Sequence, residues 1–234
     1  MDGAQIGSHK GGRRVLALSP KGGSGKTGLS RHMAVAAAMD GLRVATVDFD
    51  DQKSLTKWWN RREGFPVDFV NYDLSISQAE AAIQQIVDVD LLVIDTPPAA
   101  IDYAPEQTKA LILAADLVLI PTRASIDDVE SAIPLMDLVR SYRRPAAFVM
   151  NFIKPNVKWG KLKKELIAAG EICPAEIGDR YAICQAAETG HTILESLPGK
   201  RSADESVKRG AEEFLGVWAY AKRLLALEAA DVAA

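Results

Sequence analysis

A glycine-rich loop near the start of the chain limits its possible folds more than any other feature. The segment SPKGGSGKTG covers residues 19–28 and follows a short apolar run, Val15–Ser19. Apolar residues with helical spacing come next, from Thr27 to Asp40, and Gly41 is placed to end that helix. A strand, a glycine-rich turn and then a helix form the context in which a loop binds phosphate groups. We therefore expect an α/β fold that holds a nucleotide at this loop.

The residues of the loop suit different parts of a nucleotide. Glycines allow backbone N–H groups to point inward around anionic oxygens, and the helix that follows adds its positive end. Lys26 is placed to contact the β- and γ-phosphates, and the Thr27 hydroxyl is placed to ligate Mg²⁺. Pro20 stands where the usual pattern G-x-x-x-x-G-K-[ST] has its first glycine, and a second lysine, Lys21, follows it. The predicted nucleotide contacts are Gly22, Gly23, Ser24, Gly25, Lys26, Thr27 and Gly28.

Short apolar strands alternate with helical segments along the rest of the chain, which predicts a mostly parallel sheet with helices on both faces. The expected strands are Arg43–Asp48, Leu91–Ile94, Leu117–Ile120, which Pro121 is expected to stop, and Ala146–Met150. The expected helices are Ser77–Val87, Pro105–Leu113, Asp127–Ser141, Lys158–Ala169 and a last one capped by Ser202. We expect one domain over residues 14–228, a polar leader over 1–13 and a short tail over 229–234.

Polar residues follow several of these strands. Ligands of open α/β sheets bind outside the carboxyl ends of the strands. Asp48 and Asp50 follow one strand and Asp95 follows another, and carboxylates there can hold Mg²⁺ through water or orient an attacking water. Asn151 ends a further strand, and its amide suits both the donor and the acceptor edge of adenine. A structural cap at the strand end is the alternative reading of Asn151.

Composition limits the remaining classes of function. The chain has 28 basic and 31 acidic residues and a net charge of −3, so any contact with nucleic acid must come from a local patch. Its two cysteines, Cys173 and Cys184, have no metal-ligand spacing and indicate reduced thiols. No apolar run approaches the length of a membrane span, and the N-terminal residues lack the apolar core of a signal peptide.

The segment KGGSGKT resembles the deviant Walker A motif, KGGxGK[ST], of the ParA/MinD family of ATPases. The resemblance implies a single-domain P-loop NTPase that uses ATP and Mg²⁺ and hydrolyses ATP to ADP and phosphate. In that family the first lysine reaches across a face-to-face dimer that encloses two ATP molecules. The resemblance therefore implies catalytic roles for Lys21, acting in trans, and for Lys26.

Two acidic motifs also resemble those of the family. VDFDDQ resembles its D-x-D-P-Q motif, which implies that Asp50 is a catalytic residue that positions the hydrolytic water and that Asp48 lies near the metal. Asp51 stands where the family usually has proline. LLVIDTPP resembles its Walker B strand, which implies that Asp95 accepts from a Mg²⁺-bound water. The metal-site residues are thus Thr27, Asp48 and Asp95.

Two further strand ends resemble segments that approach the adenine and ribose in the family. The first, LVLIPTRAS, implies a nucleotide contact from Pro121, and the second, FVMNFIKP, implies one from Asn151. Gly28 is a departure, because the family often has a second threonine there.

The resemblance implies a homodimer that forms on ATP binding and binds DNA without sequence preference. A ParB-like protein or another cargo adaptor would trigger hydrolysis, in a cytoplasmic, nucleoid-associated protein. Partition of a plasmid or chromosome is the favoured role. No membrane partner is expected, since the tail LEAADVAA has no lysine.

Two basic patches are candidates for the DNA contact. Their residues are Lys158 and Lys161 in one segment, and Arg201, Lys208, Arg209, Lys222 and Arg223 around the last helix. At 100° per residue the opposite face of that helix is apolar and should be buried. The alternative is an ordinary solvated face with i, i+4 pairs between Lys208 and Glu212 and between Glu205 and Arg209.

Other readings of the same motifs stay open. An orphan relative would position a protein complex or DNA-transfer machinery, and DDQKSLTKWW resembles VirC-type relatives tied to DNA transfer. A nucleotide-binding scaffold without turnover is a further alternative. An iron–sulfur reductase would need cysteines near the Walker B strand, and a bacterial tyrosine kinase would need a tyrosine-rich tail; the chain has neither.

Overall fold

The structure, a computed structural model, describes residues 12–62, 69–156, 158–195 and 205–227. The strands within these ranges are β1 Arg13–Ala17, β2 Val44–Asp48, β3 Val70–Asp73, β4 Leu91–Asp95, β5 Leu117–Arg123 and β6 Ala146–Asn151. They form one sheet in the order β3-β2-β4-β1-β5-β6, and every neighbouring pair is parallel. The predicted α/β fold with a parallel sheet is therefore confirmed.

Helices connect the strands and cover the sheet. They are α1 Lys26–Met39, α2 Ser54–Trp59, α3 Ala79–Gln85, α4 Ala100–Tyr103, α5 Pro105–Ala114, α6 Ile126–Ser141, α7 Gly160–Ala169, α8 Tyr181–Glu188 and α9 Glu205–Leu224. A short 3₁₀ helix, Ile76–Gln78, precedes α3, where the sequence predicted one continuous helix from Ser77 to Val87. None of the described helices is long and apolar enough to cross a bilayer.

Two apolar cores lie on opposite faces of the sheet. Leu91 and Val93 of β4 contribute to the core beneath α1, α2 and α9, whereas Leu92 and Ile94 contribute to the core beneath α3, α5, α6 and α7. Because side chains alternate along a strand, a strand covered on both faces is apolar throughout. This arrangement explains why the five apolar runs could be recognised as strands from the sequence.

Pro121 does not stop its strand, and that prediction was wrong: β5 continues to Arg123. The backbone carbonyl of Leu119 accepts from the N–H of Leu18, so alternate residues of β5 face β1 from Leu119 onward. Pro121 faces the same side, where β1 has already ended at Ala17. The N–H that proline lacks therefore has no ladder partner to lose, and the strand continues through it.

Helix α9 contacts α1 at its middle and at its C-terminal end. The buried ring of His32, at the middle of α1, stacks on Phe214 with 3.5 Å between ring centroids. At the C-terminal end of α1, the carboxylate of Asp40 accepts from the Trp218 indole and from the Lys222 ammonium, each at 2.8 Å. The apolar face predicted for this helix is buried, as expected. The predicted cap Ser202 lies outside the described residues.

Candidate functional site

The phosphate-type loop occupies the carboxyl edge of the sheet between β4 and β5. It follows β1, the strand that pairs with both of them. In the parallel register Ala17 lies opposite Asp95, and Asp95 lies opposite Asp48. Three neighbouring strands therefore end beside the loop, and their last residues meet at one point of the sheet edge.

The loop turns sharply and leaves little room around its last glycine. Gly23 and Gly25 have φ angles of +70° and +94°, which side-chain-bearing residues rarely adopt. A Cβ on Gly25 would lie 2.0 Å from Nδ2 of Asn151. A Cβ on Gly22 would meet nothing closer than a Pro98 atom at 3.8 Å. Gly25 is thus required by the loop, and Gly22 has space around it.

Lys26 begins α1 and is buried beside the loop. Its ammonium donates to the backbone carbonyl of Lys21 at 3.2 Å, which leaves two further N–H groups for another acceptor. Burial lowers the pKa of Lys26, and the carboxylates of Asp95 and Asp50 oppose that change. The ammonium is therefore a desolvated positive charge with unused donors, as a phosphate contact requires.

Asp95 is completely buried at the end of β4. Its carboxylate accepts from the Thr27 hydroxyl at 2.7 Å and from the Ser30 hydroxyl at 3.1 Å. Burial raises the pKa of Asp95 to about 7, the hydrogen bond from Thr27 opposes that rise, and the nearby Asp48 carboxylate adds to it. A cation at this point would relieve the cost of a buried negative charge. Ser30, which helps to hold Asp95, was not predicted from the sequence.

Asp48 is also completely buried, but backbone groups already contact both of its oxygens. The N–H of Asp50 donates to one oxygen at 3.0 Å, and the N–H of Thr56 in α2 donates to the other at 2.9 Å. Asp50 itself is only partly buried, and its carboxylate accepts from the N–H of Gln52 at 2.9 Å. Asp48 therefore fixes the turn that carries Asp50 as well as the start of α2.

These groups fit a nucleotide with Mg²⁺. The Ser24 hydroxyl is buried in the loop without a hydrogen-bond partner, and the Lys26 ammonium has unused donors. Thr27 and Asp95 already lie in contact, so one hydroxyl and one carboxylate would hold the cation together with water. Among the described residues there is no cluster of three His, Cys, Asp or Glu side chains that would bind a metal alone. The donor set therefore suits Mg²⁺ shared between protein, water and phosphate.

Asn151 holds the loop in place. Its Nδ2 donates to the Ser24 carbonyl at 3.0 Å, and its Oδ1 accepts from the N–H of Phe152 at 2.9 Å. Phe152 has a left-handed φ of 55°, and its ring lies against Gly25. One N–H and one lone pair of the amide remain, so the adenine contact of Asn151 stays a prediction.

A cavity of about 620 Å³ opens on the β5–β6 side of the loop. This volume is within the usual range for small-ligand sites. Gly23 forms one wall, and the other lining residues are Arg123, Ala124, Ser125, Asp127, Asp128, Phe152, Lys154 and Asp179. Pro121 is buried within β5 and is not among the described residues that line it, so its nucleotide contact also stays a prediction. Arg123, where β5 ends, lines the cavity instead.

Lys21, which matches the family motif, and Gly28, which departs from it, are the two loop residues that remain to be placed. Lys21 is partly buried, its carbonyl accepts from Lys26, and a reach across a dimer stays a prediction. Gly28 lies in the first turn of α1, and a Cβ there would have no atom within 4 Å. A side chain therefore fits at this position even though the chain has none.

The basic candidates for a DNA contact differ in how their charges are engaged. Lys158 and Lys161 are exposed and make no ion pair within the described part of the chain. Lys222, in contrast, donates to Asp40, and Arg209 pairs with Glu205 at 3.2 Å.

The remaining basic candidates around α9 also differ from one another in their contacts. Lys208 is exposed, and the expected pair with Glu212 is not formed among the described residues. Arg223 is exposed and its guanidinium lies over the Tyr220 ring, 5.5 Å from the centroid. Arg201 lies outside the described residues.

The sequence and the fold both match known proteins. The chain is 25% identical to "Probable plasmid-partitioning protein ParA" of Thermus thermophilus, over 87% of this chain and 78% of that protein. It is 29% identical to "Protein virC1" of Rhizobium rhizogenes, over 84% of this chain and 92% of that protein. The solved structure of the septum site-determining protein MinD from Pyrococcus horikoshii, complexed with Mg-ADP, superposes with a TM-score of 0.72. That match covers 93% of this chain and 99% of the MinD chain at 14% identity, so it speaks for the fold alone.

A family model also matches most of the chain. The family described as the CobQ/CobB/MinD/ParA nucleotide binding domain matches residues 15–193, well over half of the chain. The matched range includes the loop, Asp48, Asp95 and the cavity. The chain therefore belongs to the CobQ/CobB/MinD/ParA family of nucleotide-binding proteins.

Proposed function

We propose that this protein is a Mg²⁺-dependent ATPase that works as an ATP-controlled switch in the partition or positioning of cargo. ATP binding closes a homodimer, the dimer binds DNA without sequence preference, and a cargo adaptor protein triggers hydrolysis. A plasmid or chromosome is the favoured cargo, because a relative that aligns along most of the chain is named a probable plasmid-partitioning protein. The protein would then act in the cytoplasm, in association with the nucleoid.

One observation carries the proposal more than any other. A buried ammonium with unused donors, Lys26, lies beside the hydrogen-bonded pair of the Thr27 hydroxyl and the buried Asp95 carboxylate, where the start of α1 meets the end of β4. A buried lysine with a purely structural role usually has its donors satisfied, and a buried carboxylate usually has a cationic partner. Both groups are explained together by a polyphosphate and its cation.

The residues of the site then take separate roles in hydrolysis. The loop backbone and Lys26 bind the β- and γ-phosphates, and Thr27 and Asp95 orient the cation, which neutralises charge on those oxygens. The carboxylate of Asp50 acts to raise the pKa of the Lys26 ammonium, and we assign Asp50 the positioning of the attacking water. Lys21 of one subunit stabilises charge that develops on the γ-phosphate in its partner.

Light scattering after size exclusion tests the switch. Asp50→Ala removes the group that positions water, so the variant should accumulate as a dimer with ATP and stay a monomer with ADP. The ATP dimer should carry nonspecific DNA at low salt and release it as salt rises. Asp51→Ala is the matched control, since Asp51 is an exposed carboxylate one residue away, and it should behave like the parent chain. A monomer in every condition would refute the dimer switch.

The two lysines of the loop should separate binding from closure. Lys26→Ala should abolish nucleotide binding, because it removes the only buried cation that contacts the loop within the described residues. Lys21→Ala should retain ATP binding within a few fold but lose the closed dimer and most turnover. Equilibrium binding of a fluorescent ATP analogue and steady-state hydrolysis measure the two effects. Normal hydrolysis by Lys21→Ala would show that Lys21 does not act in trans.

A further inference from the structure

Lys53 has a backbone conformation that is costly for lysine. It precedes α2 with φ 52° and ψ 40°, in the left-handed region. Glycine adopts this region freely, asparagine and aspartate tolerate it, and other residues enter it only when their surroundings enforce it. Strained residues of this kind cluster at functional sites, and Lys53 is three residues from Asp50.

The side chain of Lys53 joins the carboxyl ends of two neighbouring strands. Its ammonium donates to the backbone carbonyl of Leu74 at 3.0 Å and to that of Asp48 at 3.4 Å. It also pairs with the carboxylate of Asp73 at 2.6 Å. All three donors of the ammonium thus meet acceptors from β2, from β3 and from the residue just after β3.

The backbone of Lys53 closes the turn that carries Asp50. The N–H of Lys53 donates to the Asp50 carbonyl at 2.8 Å, and the N–H of Asp50 donates to the Asp48 carboxylate at 3.0 Å. The same lysine therefore anchors one end of the turn through its backbone and the adjoining strands through its side chain.

We propose that Lys53 is a positioning residue, whose ammonium holds the Asp50–Lys53 turn against the ends of β2 and β3 so that Asp50 faces the phosphate loop. This inference rests on the proposed function, because it concerns the water-positioning role of Asp50. The acceptors of the Lys53 ammonium are all protein groups, so we assign it no contact with the nucleotide or the cation. It acts through the placement of Asp50, and it should therefore affect turnover more than nucleotide affinity.

Lys53→Met tests the ammonium directly, since methionine retains an unbranched apolar chain and loses the charge. Single-turnover hydrolysis of Mg-ATP should slow at least ten-fold, while the dissociation constant for ATP changes less than two-fold. Asp73→Asn, which removes the ion-pair partner and leaves Lys53 in place, should slow hydrolysis to a smaller extent. Lys57→Met is the matched control, because Lys57 is an exposed lysine one turn later in the same segment. It should hydrolyse ATP at the parent rate.

Amide hydrogen exchange gives a readout that does not need hydrolysis. In Lys53→Met, the amides of Gln52 and Lys53 should exchange at least ten-fold faster than in the parent, and in Lys57→Met they should be unchanged. Unchanged exchange and unchanged hydrolysis in Lys53→Met would overturn the inference. So would a parallel loss of nucleotide affinity and melting temperature, which would make Lys53 a support of the whole fold. A parent chain that does not hydrolyse ATP would refute the proposed function, while the exchange data would still decide whether Lys53 fixes the turn.

Discussion

At the scale of single residues, Gly25 and Asn151 are so close that no side chain fits at Gly25 beside the Asn151 amide. The +94° φ angle of Gly25 lets the loop pass within reach of the Asn151 amide, which holds the Ser24 carbonyl. A glycine-rich motif is visible in the sequence, but the residue that presses against it comes from β6, more than a hundred positions later. The motif could therefore be predicted, and the partner that fixes its shape could not.

Substitution by alanine should lower ATP affinity strongly at one loop glycine and hardly at another. Gly25→Ala places a methyl group 2.0 Å from Asn151 Nδ2 at a φ angle unsuited to alanine, so the loop must move. We expect ATP affinity to fall at least ten-fold, which corresponds to about 1.4 kcal/mol or more. Gly22→Ala has free space and should change affinity less than three-fold. Titration with a fluorescent ATP analogue measures both, and equal losses would show that crowding at Gly25 is not the cause.

At the scale of helices and strands, continuous apolar runs were easy to read, and short or polar elements were not. The interior strands are covered on both faces, and they are therefore composed mainly of apolar residues. β3 has the sequence VNYD and lies at the edge of the sheet, with Val70 52% exposed, so no apolar alternation marks it. Helix α2 has six residues and starts after the left-handed Lys53, which no capping pattern predicts.

The two basic segments, Lys158 with Lys161 and the basic residues of α9, should contribute unequally to DNA binding. The double variant Lys158→Ala with Lys161→Ala removes two exposed charges that pair with no acidic residue in the described chain. DNA affinity should fall, and the slope of log affinity against log salt should decrease by about 2. Lys222→Ala breaks the contact with Asp40 and should lower stability with a smaller change in that slope. Fluorescence anisotropy at several salt concentrations measures the slopes, and a larger change for Lys222→Ala would place the DNA contact on α9.

At the scale of the whole molecule, a buried histidine links the nucleotide-binding helix to the last helix. The ring of His32 contacts the Gly28 carbonyl through Nδ1 at 2.7 Å, and its Nε2 accepts from the N–H of Ile193 at 3.3 Å. Burial lowers the pKa of His32 to about 4. A single neutral ring thus joins α1, the segment around Ile193 and α9, which are distant in sequence. The sequence, in which His32 is one histidine in an apolar helix, does not predict this role.

The stability of the protein should depend on pH through this ring. Below about pH 6.5 the unfolded chain gains a proton at His32 and the folded chain does not, so stability falls as the pH decreases from 6.5 to 4. The loss attributable to His32 should reach about 3 kcal/mol at pH 4. Urea unfolding of the parent and of His32→Gln at several pH values measures it. The variant should be less stable at pH 7 and should show a shallower dependence on pH, and identical slopes would contradict a neutral buried His32.

The strand order has a consequence for synthesis on the ribosome. β1 and β2 are consecutive in sequence but are not neighbours in the sheet, because β4 lies between them. Until Leu91–Asp95 has emerged from the ribosome, the nascent chain therefore has the apolar strands β1 and β2 but lacks the strand that lies between them. The phosphate loop is made first, yet Asp95 and Asn151, which complete its surroundings, emerge much later. The growing chain would acquire the ability to hold a nucleotide late in translation, when β6 completes the sheet.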